Sequence, residues 1–325
     1  MNGFNLSTIS DLYVGSTQYS AIYLGLQKIW ERNTEYINQY LTIESLEDNN
    51  VISFTSPADE TIQRTIYVNK NNTNWYSVTS GPEIQVATLN TGDKLRIYGS
   101  SSTYTYSKDG TANNSCIFGS TKTVNLYGNI CTLLTDGNIP TSSIDLSGSQ
   151  YNYCFANLFS NLEVVDASNI VFPITKMSSY GLQRMFHNCT SLVYAPTILP
   201  ATTLTEGCYR EMFSYCTSLT TAPALPATTL KTYCYYYMFN NCTSLTTAPE
   251  LPAASLTSKC YWYMFYNCSS LKTIKALFTT TPGSYYTADW VRGVSDKGTF
   301  VKSINATWTT TGNNGVPSGW TIITE

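Results

Sequence analysis

The sequence predicts a multi-domain chain: an N-terminal β element, an antiparallel β-sandwich, an α/β solenoid of repeats, and a C-terminal cap. Apolar and polar residues alternate through the first half, a repeat of 26 or 27 residues fills most of the second half, and the last fifty residues lose that period. A chain of 325 residues is long enough for two or three domains. The predicted regions are 1–33, 34–137, 138–275 and 276–325.

The repeat is clearest in its phenylalanines, which recur at intervals of 27, 27, 26 and 26 residues. A methionine or leucine precedes each of them, and Cys-Thr-Ser-Leu or a close variant follows most of them. Such a fixed period is the signature of a stacked repeat architecture, in which neighbouring repeats supply the core together. The five phenylalanines are Phe159, Phe186, Phe213, Phe239 and Phe265.

Within one repeat, Leu230, Cys234, Met238 and Cys242 lie four residues apart. This spacing predicts one face of a short helix. The run that starts at Leu245 is compatible with a β-strand and ends at a proline. Each repeat is therefore predicted to be a strand, a turn and a helix.

The strings CTSLTTAPALPATTLKTYCYYYMF and NCTSLTTAPELPAASLTSKCYWYMF resemble the cysteine-containing leucine-rich repeats of the BspA-like family. Proteins of that family are found on the surface of gut Bacteroidetes and in their phages. The resemblance covers about residues 150–275 and implies a leucine-rich-repeat solenoid. In the first repeats Gly181 and Leu162 replace the expected cysteines.

Residues 34–137 contain strand-like alternation separated by turn signals, which is typical of an antiparallel sandwich. The same resemblance implies an Ig-like domain in this position, and Trp75 is predicted to lie in its core. Residues 276–325 are predicted to cover the last repeat with Trp290, Phe300, Trp308 and Trp320.

The first 33 residues contain two Tyr-x-Gly triplets and predict a small β element with glycine turns. The segment also resembles the N-terminal segments of phage tail and fibre proteins, in which sequences such as Ile-Tyr-Leu-Gly mark a virion-attachment end. The alternative is an ordinary hairpin packed on the β-sandwich.

The cysteines of the repeats are expected to be buried free thiols that pack as small apolar residues. Two cysteines of one predicted helix are eight residues apart, about 12 Å, which is too far for a disulfide. Disulfides between neighbouring repeats and a metal site are the alternatives. The core cysteines so predicted are Cys208, Cys216, Cys234, Cys242, Cys260 and Cys268.

Composition and motifs argue against several classes of function. Charged residues are 12% of the chain and the net charge is -3, which does not suit nucleic acid. No run of 18 apolar residues predicts membrane insertion, and the N-terminus lacks the pattern of a secretion signal. The single histidine, His187, occupies a position that varies between repeats, so we predict no enzyme, no cofactor and no metal.

Two sets of residues are candidates for binding, because the predicted solenoid leaves them outside its core. The first set forms aromatic columns on the predicted helices, and packing between repeats is the alternative role: Tyr209, Tyr235, Tyr236, Tyr237, Tyr261, Trp262 and Tyr263. The second set is a hydroxyl-rich face on the predicted strands, for which simple solvation is the alternative: Thr220, Thr221, Thr246 and Thr247.

We therefore expect a non-enzymatic phage structural protein, a component of a head or tail fibre or appendage. It would be made in the host cytoplasm and reach the virion surface, where residues 1–33 contact other virion proteins. The repeats would adhere to a glycan or protein receptor on a host or mucosal surface, with homo-oligomers possible. The alternative is an adhesin on a bacterial cell surface.

Overall fold

The computed structural model describes residues 39–55, 64–82, 84–99, 116–140 and 142–325, and the backbone of four short strands near the N-terminus. These four strands form two antiparallel hairpins. The glycine turns predicted between them lie outside the described residues. The strands are β1 (Leu12–Val14), β2 (Thr17–Tyr19), β3 (Ala21–Leu24) and β4 (Gln27–Glu31).

The next eight strands lie within the segments in which alternation predicted strands. In the strand Asn50–Thr55, for example, Asn50, Ile52 and Phe54 are fully buried while the residues between them are partly exposed. The strands are β5 (Leu41–Ser45), β6 (Asn50–Thr55), β7 (Thr65–Lys70), β8 (Tyr76–Thr79), β9 (Ile84–Leu89), β10 (Lys94–Gly99), β11 (Ile117–Ser120) and β12 (Val124–Asn129).

Two sheets contain these strands. A three-stranded sheet has the order β11-β6-β9. A six-stranded sheet has the order β14-β12-β5-β10-β7-β8, in which β14 (Val164–Val171) comes from the repeat region and pairs in parallel with β12. The strand pairing therefore crosses the predicted boundary at residue 137. Trp75 does not lie in the core, because 37% of it is exposed.

Apart from β14, the strands of the repeat region are short. β13 (Ile144–Asp145) pairs in parallel with β15 (Ile174–Lys176). At the C-terminal end β16 (Thr273–Ala276), β17 (Thr299–Lys302) and β18 (Thr321–Thr324) form a parallel three-stranded sheet. Two short 3-10 helices span Ile130–Leu134 and Ser149–Tyr151.

The predicted α/β leucine-rich-repeat solenoid is wrong, because the described residues contain no α-helix and form several small open sheets. The segments predicted as helices are chains of overlapping turns, which we call turn strips. In one strip the N–H groups of Cys234, Tyr236 and Met238 each donate to the carbonyl three residues earlier, at 3.1 to 3.2 Å. The strips are residues 152–161, 179–188, 206–215, 232–241 and 258–267.

The intervening N–H groups point to the next repeat instead. Tyr235 N–H donates to the Cys260 carbonyl at 3.1 Å, and Phe239 N–H donates to the Met264 carbonyl at 2.9 Å. Half of the backbone donors therefore close local turns and the other half join neighbouring repeats, as strands of a sheet do.

Every fourth residue of a turn strip has a positive φ. A tight turn of this kind requires a positive φ at its third residue, and glycine or asparagine adopts this conformation most readily. The spacing of four thus arises from turns and not from a helix. The left-handed residues are Tyr153, Asn157, Asn161, Tyr180, Arg184, Asn188, Gly207, Glu211, Tyr215, Tyr233, Tyr237, Asn241, Lys259, Tyr263 and Asn267.

Aromatic rings stack from repeat to repeat inside the core. Phe186, Phe213, Phe239 and Phe265 follow one another at 5.5 to 5.7 Å between ring centroids, with planes within 6° of parallel. The column continues in one direction to Phe118 of the three-stranded sheet and in the other to Trp290. The β-sheets and the C-terminal segment therefore cover the two ends of one continuous core.

The C-terminal segment buries its large aromatic residues and satisfies their polar groups. Trp290, Phe300, Trp308 and Trp320 are all at most 7% exposed. Each of the three indole N–H groups donates to a backbone carbonyl at 2.7 to 3.0 Å. They are the four residues that were expected to cover the last repeat.

The left-handed turns give a first prediction. Asn241 has a φ of 59°, so Asn241→Val is expected to be about 1–2 kcal/mol less stable than Asn241→Gly, which adopts this φ without strain. Urea unfolding followed by circular dichroism measures the difference. At Thr217, which lacks a positive φ, the valine variant should be at least as stable as the glycine variant. Equal stability of the two Asn241 variants would contradict the turn assignment.

Candidate functional site

The turn strips present their residues in pairs. In one strip the adjacent pairs Cys234–Tyr235 and Met238–Phe239 are buried, and the pair between them, Tyr236 and Tyr237, is partly exposed. A helix would not bury two neighbours and then expose the next two with a period of four. The helical prediction therefore put one residue of each repeat on the surface that the turns place in the core.

Tyr209, Tyr235 and Tyr261, predicted as surface residues, are buried with 1%, 2% and 1% of their surface exposed. Their rings stack at 5.8 and 5.9 Å in a second internal column, and burial raises the pKa of all three hydroxyls. They cannot contact a ligand in the folded protein, so packing between repeats is their role.

The other four predicted aromatic residues lie together on the outer side of two adjacent repeats. The Tyr237 ring stacks on Tyr263 at 4.5 Å, and Tyr236 lies edge-on to Tyr237 at 4.6 Å and 6.2 Å from Trp262. Two more tyrosines extend the cluster. We call the six residues the aromatic face: Tyr233, Tyr236, Tyr237, Trp262, Tyr263 and Tyr266.

Cations border the aromatic face. Lys259 Nζ lies 4.5 Å from the Trp262 ring centroid and donates a hydrogen bond to the Tyr233 hydroxyl at 2.8 Å, which raises the pKa of Lys259. Arg210 and Arg292 lie over Tyr236 and Tyr266, 5.0 and 5.7 Å from the ring centroids. Such contacts are typical cation–π interactions.

The charge at this face is not fully balanced. Glu211 binds the Arg184 guanidinium at 2.7 Å and that of Arg210 at 3.0 Å. Among the described residues no carboxylate forms an ion pair with Lys259 or Arg292. The face therefore carries a local excess of positive charge beside partly exposed aromatic rings.

One polar atom in the aromatic face lacks a partner. Trp262 Nε1 is buried and donates no hydrogen bond. A buried unpaired donor costs about 1–3 kcal/mol, and indole N–H groups usually find an acceptor. The three tryptophans of the C-terminal segment do so, whereas Trp262 does not.

The predicted threonines are exposed. Thr221 and Thr247 form parallel bridges with each other, and the series extends to Tyr194 on one side and Thr273 on the other. Thr220 and Thr246 precede them and are also exposed. The structure thus places all four on the surface in a regular array.

All ten cysteines are buried and unpaired. In four successive repeats the second cysteine donates its thiol to the carbonyl of the phenylalanine in the preceding repeat, at 3.0 or 3.1 Å. These pairs are Cys189–Phe159, Cys216–Phe186, Cys242–Phe213 and Cys268–Phe239. The thiols are hydrogen-bond donors between repeats as well as packing groups.

His187 lies half-buried on the outer side of its strip, edge-on to Tyr215 at 5.6 Å. Its Nδ1 is buried and has no hydrogen-bond partner. Burial is the main cause that lowers the pKa of His187, and the positive charge of the nearby Arg184 lowers it further. This geometry does not include a carboxylate or nucleophile hydrogen-bonded to Nδ1.

Within the described part of the chain, no helix is long and apolar enough to cross a membrane, and no group of three or more His, Cys, Asp or Glu side chains could hold a metal ion.

No protein-family model matches this chain, and neither curated proteins nor solved structures give a match. The resemblance of the repeats to the BspA-like family therefore stays a prediction that rests on their sequence.

Two residues of the aromatic face, Tyr233 and Tyr266, and the two cations beside it, Lys259 and Arg292, were not among the predicted binding residues. Tyr233 and Lys259 occupy left-handed positions, which a helical interpretation does not distinguish. The recurrence of asparagine at Asn188, Asn241 and Asn267 was the one local signal of that conformation.

The buried thiols give a prediction about pH. Burial raises the pKa of Cys154, Cys208, Cys260 and Cys268 to about 12, from an ordinary value of 9.0. The folded state therefore favours the protonated thiols. Their contribution to stability is complete below pH 9 and is lost as the pH rises from about 9 towards 12. Urea unfolding midpoints should be flat from pH 7 to 8.5 and fall steadily above pH 9.

Thiol labelling is the control for this prediction. At pH 8 the native protein should react at none of its cysteines, and the denatured, unreduced protein should react at all ten. Fewer reactive thiols after denaturation would mean that disulfides are present, which would contradict the assignment.

Proposed function

We propose that this protein is a non-enzymatic structural component of a phage virion, in a head or tail fibre or appendage, that adheres to a host or mucosal surface. The aromatic face is the contact surface in this proposal. The observation that carries it is the cluster of six aromatic rings on two adjacent repeats, bordered by Lys259 and Arg292.

Stacking of repeats does not require this cluster. At the two outward positions before the core phenylalanine, the repeats have Tyr236 with Tyr237, and Trp262 with Tyr263. The earlier repeats have other residues there and form the same backbone bonds between strips. Packing alone therefore does not explain the aromatic side chains. The residues in the earlier repeats are Ala156, Asn157, Gln183, Arg184, Arg210 and Glu211.

The chemistry of the aromatic face suits a glycan, and a protein receptor would use the same features. Aromatic rings bring a large apolar area with few rotatable bonds, and tyrosine adds a hydroxyl at its tip. Lys259 and Arg292 supply donors for sugar hydroxyls, carboxylates or sulfates.

The proposed location on the virion depends on residues 1–33, which resemble the attachment ends of phage tail and fibre proteins. In this proposal the segment contacts other virion proteins, and the repeats face outwards. A bacterial cell-surface adhesin would display the same aromatic face, so the two proposals differ in location and not in the binding chemistry.

The binding role is tested on an array of mucin-type glycans and on immobilised mucin. We expect Tyr236→Ala and Trp262→Ala each to weaken binding about tenfold or more, because each removes a ring that contacts the ligand. A tenfold change corresponds to about 1.4 kcal/mol. Tyr215→Ala is the matched control, since Tyr215 is 45% exposed on a neighbouring repeat but lies outside the face. Equal binding by all three variants would exclude the aromatic face.

The proposed location on the virion is tested by mass spectrometry of purified particles. We expect the protein in stoichiometric amounts in virions, and we expect deletion of residues 1–33 to remove it from particles without abolishing mucin binding. Its absence from particles together with its presence on bacterial envelopes would favour the adhesin.

A further inference from the structure

The outward side of the six-stranded sheet carries a row of polar side chains in register. Lys94 of β10 pairs with Glu44 of β5, Glu44 pairs with Asn125 of β12, and Asn125 pairs with Asp166 of β14. Paired residues of neighbouring strands project to the same side of a sheet. The four side chains are therefore neighbours, although they come from four separate parts of the chain.

These residues line a cleft of about 550 Å³, together with Arg96 and Tyr127. This volume is within the range of small-ligand sites. Glu44 and Asp166 are opposed by Lys94 and Arg96, so the formal charges cancel. Lys94 lies 3.8 Å from Glu44 and 5.6 Å from the centroid of the Tyr127 ring. The cleft therefore favours a polar ligand without a net charge.

Asn125 supplies a second, independent observation. Its Oδ1 is buried and accepts no hydrogen bond. Burying an acceptor without a donor costs about 1–3 kcal/mol, so this atom is a poor choice for stability alone. Asn125 lines the cleft, so rotation of its amide would let a hydroxyl donor bound there supply the missing partner.

Aromatic rings flank the cleft on the same side of the sheet. Tyr98 follows Arg96 by two residues in β10 and so projects to the same face. Its ring contacts Tyr67 at 4.7 Å and Trp75 at 4.8 Å between centroids, and Trp75 is 37% exposed. The exposure that excludes Trp75 from the core makes it a stacking surface beside the polar groups.

The row continues beyond the cleft through the repeats. Asp166 bridges to Tyr194, and the next partners are Thr221, Thr247 and Thr273. The pairing then passes through β17 and β18, where further threonines hold the same register. At about 4.8 Å per strand, the six steps from Asp166 to the last threonine span about 29 Å. A polar cleft thus continues into a track of hydroxyl groups, one from each successive strand.

We propose that this cleft and track form a second binding site, which takes a neutral, unbranched saccharide chain with one end in the cleft. Asn125, Glu44 and Asp166 accept hydrogen bonds from sugar hydroxyls, and Arg96 and Lys94 donate to sugar oxygens. Trp75 and Tyr98 cover the apolar face of a sugar ring. The site shares no residue with the aromatic face and does not depend on the function proposed above.

The test is isothermal titration of the full-length protein with maltohexaose, cellohexaose and mannohexaose, and with hexagalacturonate as the anionic comparison. At least one neutral hexasaccharide should bind with a dissociation constant below about 1 mM. Asn125→Ala and Glu44→Gln should each weaken that binding tenfold or more. Asn125→Ala should leave the thermal midpoint unchanged or higher, because it removes an unpaired acceptor.

Three controls separate this site from the rest of the molecule. Gln85→Ala, on the exposed side of the other sheet, and Trp262→Ala, on the aromatic face, should bind the hexasaccharide as the unmodified protein does. The double variant Thr221→Val, Thr247→Val should weaken binding of the hexasaccharide more than binding of the matching disaccharide. The proposal is overturned if no neutral hexasaccharide binds, if hexagalacturonate binds more tightly, or if Trp262→Ala abolishes binding while Asn125→Ala does not.

Discussion

The backbone hydrogen bond from one turn strip to the next is the interaction on which the rest of the structure depends. Alternate N–H groups, such as those of Tyr235 and Phe239, donate to the following repeat, and the others close turns within the strip. This division satisfies the backbone without a helix. It also fixes the distance between repeats. At this distance the phenylalanine and tyrosine rings stack, and a thiol such as that of Cys242 reaches a carbonyl of the preceding repeat.

The sequence supported the strands of the first half, the repeat period and the burial of the cysteines, because each depends on local alternation or on position within the repeat. The helices predicted from the same spacing were wrong. Overlapping turns with a left-handed residue every four positions give the same apolar spacing as a helical face. Composition was the neglected signal: the strip that contains Tyr235, Met238 and Asn241 is rich in tyrosine, cysteine and asparagine, which have low helix propensity.

The candidate sites show the same limit. Partial exposure of Tyr236, Tyr237, Trp262 and Tyr263 followed from their positions beside the core residues, so four of the six residues of the aromatic face were predictable. The polar row on the sheet was not, because the parallel pairing of Asn125 with Asp166 joins strands that belong to different predicted regions. No local pattern specifies which distant strand will become the neighbour of an edge strand.

The inner and outer residues of the turn strips are under different constraints. Inward pairs must match the repeats on both sides, so cysteine, methionine and phenylalanine recur there and leave little freedom. The outward positions are less constrained in residue type, because strips with alanine, glutamine or arginine there form the same backbone bonds to the next repeat. Tyr237 and Tyr263 even occupy left-handed positions, which cost a bulky residue about 1–2 kcal/mol each. Glycine or asparagine would adopt the same φ at a lower cost, so tyrosine at these two positions agrees with the proposed contact surface, and the inner columns fix the positions of both rings.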